Sequence, residues 1–271
     1  MLWVIIMKWT SEAESAIKKV PFFVRKRVKV RVEKEAYDAG KAMITLAEVK
    51  ATQQRYLSGM ASEIKGYRIE GCFGGGGCPN RICDSDSLMH NIEAIFESED
   101  LLGFLKSRVS GDLKFHHEFS VAIADCPNAC SQPQIRDIGI IGAKKPALTE
   151  ESCTQCGACI DICKENAITI GSGSPILDEN RCLFCGQCIG VCPSGTIAEG
   201  EKGFRILLGG KLGRHPKLAE EIPGIFSQDE ILGIVNSCIA LYKQHSNTGQ
   251  RFAAILTDEM MADIRNFIRR A

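Results

Sequence analysis

Eight of the fourteen cysteines fall in two nearly identical runs, Cys153-x2-Cys156-x2-Cys159-x3-Cys163 and Cys182-x2-Cys185-x2-Cys188-x3-Cys192-Pro193, separated by a short connection. Two C-x2-C pairs make a zinc site, but zinc takes four ligands per ion. That count explains neither the third cysteine of each triplet nor the repeated gap of three. Disulfides fit worse, because thiols this dense in a chain without a recognisable secretion signal belong to a reducing compartment.

The pattern resembles the 2x(4Fe-4S) bacterial ferredoxin family over residues 149–199. In that arrangement three closely spaced thiolates wrap one corner of a cubane, and the fourth reaches the neighbouring one. The implied ligand sets are therefore crossed. Cys153, Cys156, Cys159 and Cys192 hold one 4Fe-4S cluster, and Cys182, Cys185, Cys188 and Cys163 the other. Lys164 stands where the second run has Pro193, which alters the chain's exit after Cys163 and not the ligand set.

Four more cysteines form C-x5-C in Gly71-Cys72-Phe73-Gly74-Gly75-Gly76-Gly77-Cys78-Pro79-Asn80 and C-x3-C in Cys126-Pro127-Asn128-Ala129-Cys130. Four thiolates from two loops close around one more cubane, and the glycine run lets backbone approach a bulky group without side-chain obstruction. A plain third cluster and metal-free buried cysteines are the alternatives. The arrangement resembles the 4Fe-4S half of the sirohaem-dependent nitrite and sulfite reductase family, over roughly residues 65–271. That resemblance implies that Cys72, Cys78, Cys126 and Cys130 hold a cluster coupled to sirohaem, with Cys130 bridging. It places Asn128 in the pocket, and Lys211 and Arg214, in Gly203-Phe-Arg-Ile-Leu-Leu-Gly-Gly-Lys-Leu-Gly-Arg-His-Pro216, near the macrocycle's carboxylates. Cys238, on an apolar helical face, reads as core.

Lys and Arg balance Asp and Glu at 33 each, so no global field draws the chain to nucleic acid. The apolar start Met1-Leu-Trp-Val-Ile-Ile-Met7 is too short to span a bilayer and reads as a disordered or mis-started end, with Met7-Lys8-Trp9-Thr10 the natural beginning. A cytoplasmic location in an anaerobic or oxygen-poor cell is the expectation.

The first sixty residues read as helical. Ser11 to Glu14 and Thr45 to Glu48 fit capping boxes, and Val24, Val28, Val32 and Ala36 form one apolar stripe. The basic residues between them read as a solvated face. This segment resembles the small helical domain at the end of a light-independent protochlorophyllide reductase polypeptide. An association with the sirohaem follows from that resemblance, with Arg25 and Arg27 as candidate partners of its carboxylates. Strands are expected at 67–70, 119–124, 135–141 and 204–208. Helices are expected at 87–97, 100–109, after a Ser227 to Glu230 cap, and from about 257.

The expected fold is α+β: a sirohaem-reductase-like α/β sandwich with an inserted bacterial ferredoxin and an N-terminal helical domain. The expected divisions are 1–60, 65–147, 148–200 (the ferredoxin insert) and 201–271. The expected function is reduction of a small inorganic oxyanion, sulfite before nitrite, with electrons from a donor protein or subunit reaching the coupled centre through the ferredoxin clusters. Complete enzymes of the resembled family have two related halves, so a homo-oligomer or partner subunit is expected to complete the pocket. Two alternatives stand beside this reading: a tetrapyrrole-binding relative without oxyanion chemistry, and a three-cluster electron-transfer subunit without sirohaem. Where relatives carry a Lys-x-Lys pair, this chain has Glu118 and Ser120, a departure that speaks against ordinary sulfite reduction. His116 and His117 are candidate proton donors, expected on a strand where they would point to opposite faces.

Overall fold

The computed structural model describes residues 7–268, so most of the apolar start lies outside the described residues. The chain divides into two compact units, Met1–Ile64 with Asp112–Phe115, and Lys65–Gly111 with His116–Ala271.

The first unit contains β1 (Lys8–Trp9), α1 (Ser11–Lys18), α2 (Phe22–Asp38), β2 (Met43–Ile44) and α3 (Leu46–Glu63), with β1 and β2 paired in parallel. Thr10, not Ser11, caps α1. Leaving β1 with extended backbone, Thr10 already has the geometry a cap needs, and its hydroxyl accepts the Ala13 N–H. The Thr45 to Glu48 box forms as expected. Of the apolar stripe on α2, Val32 and Ala36 are buried against Met7, Ala13, Ile44 and Val49, and Val28 packs alongside. Lys26, Arg27 and Lys29 face solvent, as a solvated basic face should.

The second unit runs β3 (Tyr67–Gly71), α4 (Asp86–Ser98), α5 (Leu101–Arg108), β4 (Phe119–Ala124), β5 (Ile138–Leu148), α6 (Ala158–Ile162), β6 (Ile168–Gly171), β7 (Ser174–Leu177), α7 (Gln187–Val191), β8 (Ile197–Leu208), β9 (Glu220–Phe226), α8 (Gln228–His245), α9 (Phe252–Ile255) and α10 (Asp258–Ile268). This is an α+β fold. Its central sheet has the order β3-β4-β5-β8-β9. β3, β4 and β5 are mutually parallel, and β8 and β9 run antiparallel to their neighbours. Every residue of β4 is buried, the mark of an interior strand in a parallel sheet.

β5 starts later and runs further than its apolar residues indicated. Gln132, left-handed at φ 57°, opens a 3-10 turn at Pro133–Ile135 that delays the strand to Ile138. β5 then pairs with β8 all the way from Ile138 opposite Leu208 to Leu148 opposite Ile197. A bulge between Lys144 and Pro146 interrupts the ladder, as expected where proline lacks an N–H. The two cysteine runs therefore hang from the tip of a long antiparallel ribbon. Between β5 and β8 lie α6, α7 and the β6–β7 hairpin, which turns at Ser172 and Gly173, with Gly171 and Pro175 already paired in its strands. Cys159, Ile168, Cys188 and Ile197 form their small core.

The opposite end of the sheet is the rigid one. Phe119 at the start of β4 contacts Phe96, Tyr242 and Phe252, with ring centroids 5.8, 5.0 and 5.5 Å away. Beside this cluster Asp137, fully buried, accepts the Ser120 hydroxyl at 2.6 Å and pairs with Arg251 at 3.0 Å. Among the described residues no helix is long and apolar enough to cross a membrane. Removing one member of a buried ion pair leaves the other charge uncompensated. Arg251→Met is therefore expected to lower unfolding free energy by about 3 kcal/mol in denaturant titrations, more than Asp137→Asn.

Candidate metal centres

β3 and β4 pair in register from Tyr67 opposite Phe119 to Gly71 opposite Ile123, so the turns that leave them start at one edge of the sheet. Cys72 follows β3 directly, and Cys126 follows β4 after Asp125. All four cysteines of the C-x5-C and C-x3-C pairs converge there. The Cys126 thiol is pushed up first by burial, and then by the neighbouring sulfurs of Cys78, Cys72 and Cys130. Cys72 Sγ accepts N–H bonds from Gly74 and from Asp125, both at 3.3 Å, so one sulfur ties the two loops together.

The four glycines are not equivalent. A Cβ at Gly74 would lie 2.2 Å from Asp125 Oδ2, so the protein's own packing demands glycine there. At Gly76 a Cβ would meet no protein atom within 4 Å. Across the site Ala129 takes a left-handed φ of 52°, and both Asn128 and Cys130 are exposed while Cys126 is buried.

In the insert the two cysteine runs share one backbone form. Gln155 and Phe184 are left-handed at φ 55° and 58°, and Gly157 and Gly186 at 80° and 67° begin α6 and α7. The sulfurs group across the repeats. Cys188 is pushed up to about 12 by burial and then by Cys182, Cys185 and Cys163. Cys159 is pushed up by burial, with Cys192 and Cys153 adding to it. In Cys192 burial acts upward, but bonds from the Ile197 N–H and from Ser194 outweigh it and the thiol falls below its ordinary value.

Cys163, Cys182, Cys185 and Cys188 line a cleft of about 120 Å³ together with Asn80, Pro127 and Asn128, which belong to the C-x5-C and C-x3-C loops. The second run is moored to the ribbon at this place. The Lys144 N–H donates to the Phe184 carbonyl at 2.7 Å, and Arg205 Nη1 donates to Leu183 O at 3.2 Å. Lys145 and Arg205 both stand 5.9 Å from the Phe184 ring centroid, close enough for cation–π attraction. Among the described residues no three His, Cys, Asp or Glu side chains are drawn together tightly enough for a single metal ion.

The nitrite and sulphite reductase 4Fe-4S domain family model matches residues 66–268. The chain belongs to this family. A proto-chlorophyllide reductase 57 kD subunit model matches residues 9–52, the helical start. The coenzyme F420-dependent sulfite reductase of Methanocaldococcus jannaschii is 36% identical over 184 residues, 66% of this chain and 27% of that protein. A subunit of the anaerobic sulfite reductase of Salmonella typhimurium is 26% identical over 121 residues, 45% of this chain and 30% of that protein. The matched stretch therefore spans under a third of the length of these two relatives. The crystal structure of dissimilatory sulfite reductase I shares the fold over 74% of this chain and 52% of that one, with a TM-score of 0.50 at 16% identity.

Several side chains assigned to the site from the sequence lie elsewhere in this member of the family. His116 and His117 are not on a strand. They sit in a 3-10 turn, Phe115–His117, with ring centroids 4.2 Å apart. That turn precedes β4, and five strand steps, about 17 Å, separate the start of β4 from its cysteine end. Glu118 and Ser120 are at the same remote end, buried and engaged within the fold: Glu118 accepts the Lys65 N–H at 3.0 Å, and Ser120 bonds Asp137. Both side chains are thus bonded within the fold at the end of β4 away from the cysteines.

Lys211 and Arg214 lie in the loop between β8 and β9. That loop is stitched by Gly210 N–H to Arg136 O (2.8 Å) and Ala219 N–H to Gln134 O (2.7 Å), onto the segment returning from Cys130. Arg25 donates to the carbonyls of Val20 and Lys18, closing the turn between α1 and α2, whereas Arg27 is exposed. Cys238 is fully buried, as core packing requires, and burial pushes its thiol up.

Three residues at the site carry no cysteine-motif signal. Cys83, the remaining thiol, is buried and donates to Gly203 O at 3.1 Å. Asp125 and Arg81, which pair at 2.9 Å, flank the motifs without belonging to either.

Burial holds the Glu118 carboxyl above its ordinary 4.5, outweighing the Lys65 N–H and the Arg68 charge. A carboxyl with a raised folded pKa contributes stability that is full below its unfolded pKa and is lost as pH rises through the folded one. Glu118→Gln keeps an acceptor for Lys65 without the buried charge. It is expected to raise the melting temperature at neutral pH and to confer no gain below about pH 4, read from melting curves across pH.

Proposed function

We propose that this chain is the cluster-bearing half of a sulfite-reducing oxidoreductase. The reading rests on one observation above the others: the cleft walled by Cys163, Cys182, Cys185 and Cys188 is closed by Asn80, Pro127 and Asn128 from the C-x5-C and C-x3-C loops. Two cysteine constellations that are far apart in sequence thus share a wall.

The thiol sets fit cubane clusters. Each set offers four soft donors, the sulfurs group in the crossed sets, and backbone N–H groups point at Cys72, Cys153, Cys163 and Cys192. In this reading Cys182, Cys185, Cys188 and Cys163 hold the inner ferredoxin cluster. Cys153, Cys156, Cys159 and Cys192 hold the outer one, with Cys156 exposed toward a donor protein. Cys72, Cys78, Cys126 and Cys130 would hold the third cluster, with the exposed Cys130 the ligand shared with sirohaem. When bound, these groups supply one-electron transfer and an iron site for a small oxyanion.

The protein's own contribution is placement. Gly76 and Gly77 leave backbone without side chains beside Cys78. Lys144, Arg205 and Phe184 fix the inner cysteine loop against the sheet, holding the electron path short. Lys211 and Arg214 are the cations assigned to the macrocycle's carboxylates. Sulfite is favoured as substrate because both relatives above are named sulfite reductases. That the Salmonella relative is named as one subunit of its enzyme supports a pocket completed by a partner polypeptide or a second copy.

The test is chemical analysis of protein purified anaerobically from a sirohaem-producing host. The expected result is about twelve cluster irons, at four per cubane, and one extractable tetrapyrrole per chain. Cys130→Ser should release the tetrapyrrole while both ferredoxin signals persist in electron paramagnetic resonance. Three clusters without tetrapyrrole would make the chain an electron carrier and overturn the reductase reading.

A further inference from the structure

A carboxylate beside a thiolate site is electrostatically unfavourable, yet Asp125 immediately precedes Cys126 and is 3% exposed. Its contacts supply the reason. The carboxylate accepts Arg81 Nε at 2.9 Å and the Ser85 hydroxyl at 2.5 Å. Its carbonyl accepts the N–H groups of Ile82 and Cys83 at 3.0 and 3.2 Å. Its own N–H donates to Cys72 Sγ, and its side chain fills the space a Cβ on Gly74 would need. Arg81 reaches on to Asp84 at 2.8 Å and Asp86 at 3.5 Å. The strand behind is committed too, since a Cβ at Gly142 would fall 2.4 Å from the Asp125 carbonyl.

Residues 81–86 leave the C-x5-C loop three residues after Cys78 and are fastened to the residue before the C-x3-C pair. We propose that Asp125 and Arg81 are positioning residues. Together they lock the Cys72–Cys78 loop onto the Cys126–Cys130 loop, and Arg81 offsets the carboxylate's charge at the edge of the thiolate set. Preorganised ligands of this kind hold their geometry only when a supporting shell holds them. The identity of the group held there rests on the cluster reading above; the clasp between the loops does not.

The charge half has a signature that a purely structural role lacks. Asp125→Asn removes the buried anion and leaves Arg81 to Asp84 and Asp86 at the surface, favouring the reduced cluster. Arg81→Met removes the cation and leaves the carboxylate, favouring the oxidised one. The reduced-to-oxidised ratio at fixed potential should move at least tenfold in opposite directions, about 59 mV each way for a one-electron couple, in redox titrations followed by electron paramagnetic resonance. The ferredoxin clusters serve as unshifted internal references.

Hydrogen–deuterium exchange on the as-isolated protein reads the clasp independently of any cluster. Amides in residues 72–86, those of Ile82 and Cys83 above all, should exchange faster in Arg81→Met, and Arg81→Lys should restore much of the protection. If Asp125→Asn does not fold, the two Arg81 variants still decide the question. Wild-type exchange in residues 72–86 of Arg81→Met overturns the clasp, and equal or same-signed potential shifts overturn the charge role. A wild-type protein with no third cluster would sink the function proposed above, while the exchange comparison still decides whether Asp125 and Arg81 join the loops.

Discussion

Parallel pairing of β3, β4 and β5 is the constraint on which the rest of the second unit depends. Parallel neighbours end at the same edge of a sheet, so whatever follows β3 must meet whatever follows β4. Here those continuations are the C-x5-C and C-x3-C loops. β5 passes the end of β4 and carries on with β8 as a two-stranded ribbon, which brings the ferredoxin-like insert to that same edge. Twelve thiols are gathered by strand direction before any one of them binds anything.

The two ends of the sheet do different work. At the remote end, interlocking aromatic rings around Phe119 and the buried Asp137–Arg251 pair give β4 and β5 a fixed base. At the cysteine end the backbone is held by many polar contacts and few apolar ones: N–H bonds to sulfur, left-handed turns, and the carboxylate of Asp125. Such segments lie at the less stable end of a protein's range, so their order leans on the rigid base and on bonds between loops.

Much of this was legible from residue order, for identifiable reasons. The strand at 119–124, the caps at Thr45 and Ser227 and the apolar stripe of α2 follow from local preferences that tertiary packing does not oppose. Other expectations failed where a neighbour intervened. Thr10 displaced Ser11 as cap because β1 delivers it already extended. His116 and His117 left the strand because β4 begins only where its pairing with β3 begins, at Phe119 opposite Tyr67. Glu118 and Ser120, which their place before the C-x3-C pair put near the site, turn out to be bonded into the fold at the far end of β4.

By itself the sequence determined which cysteines share a loop, because a triplet at three-residue spacing is a property of one tight loop and needs no distant partner. It also determined the family, through motifs that are local in the same sense. Tertiary structure alone decided which groups face each other: the inner thiol set against Asn80, Pro127 and Asn128, and Asp125 against Arg81. Those meetings depend on strand order and register, which are set by contacts between residues tens of positions apart, and no local spacing encodes them.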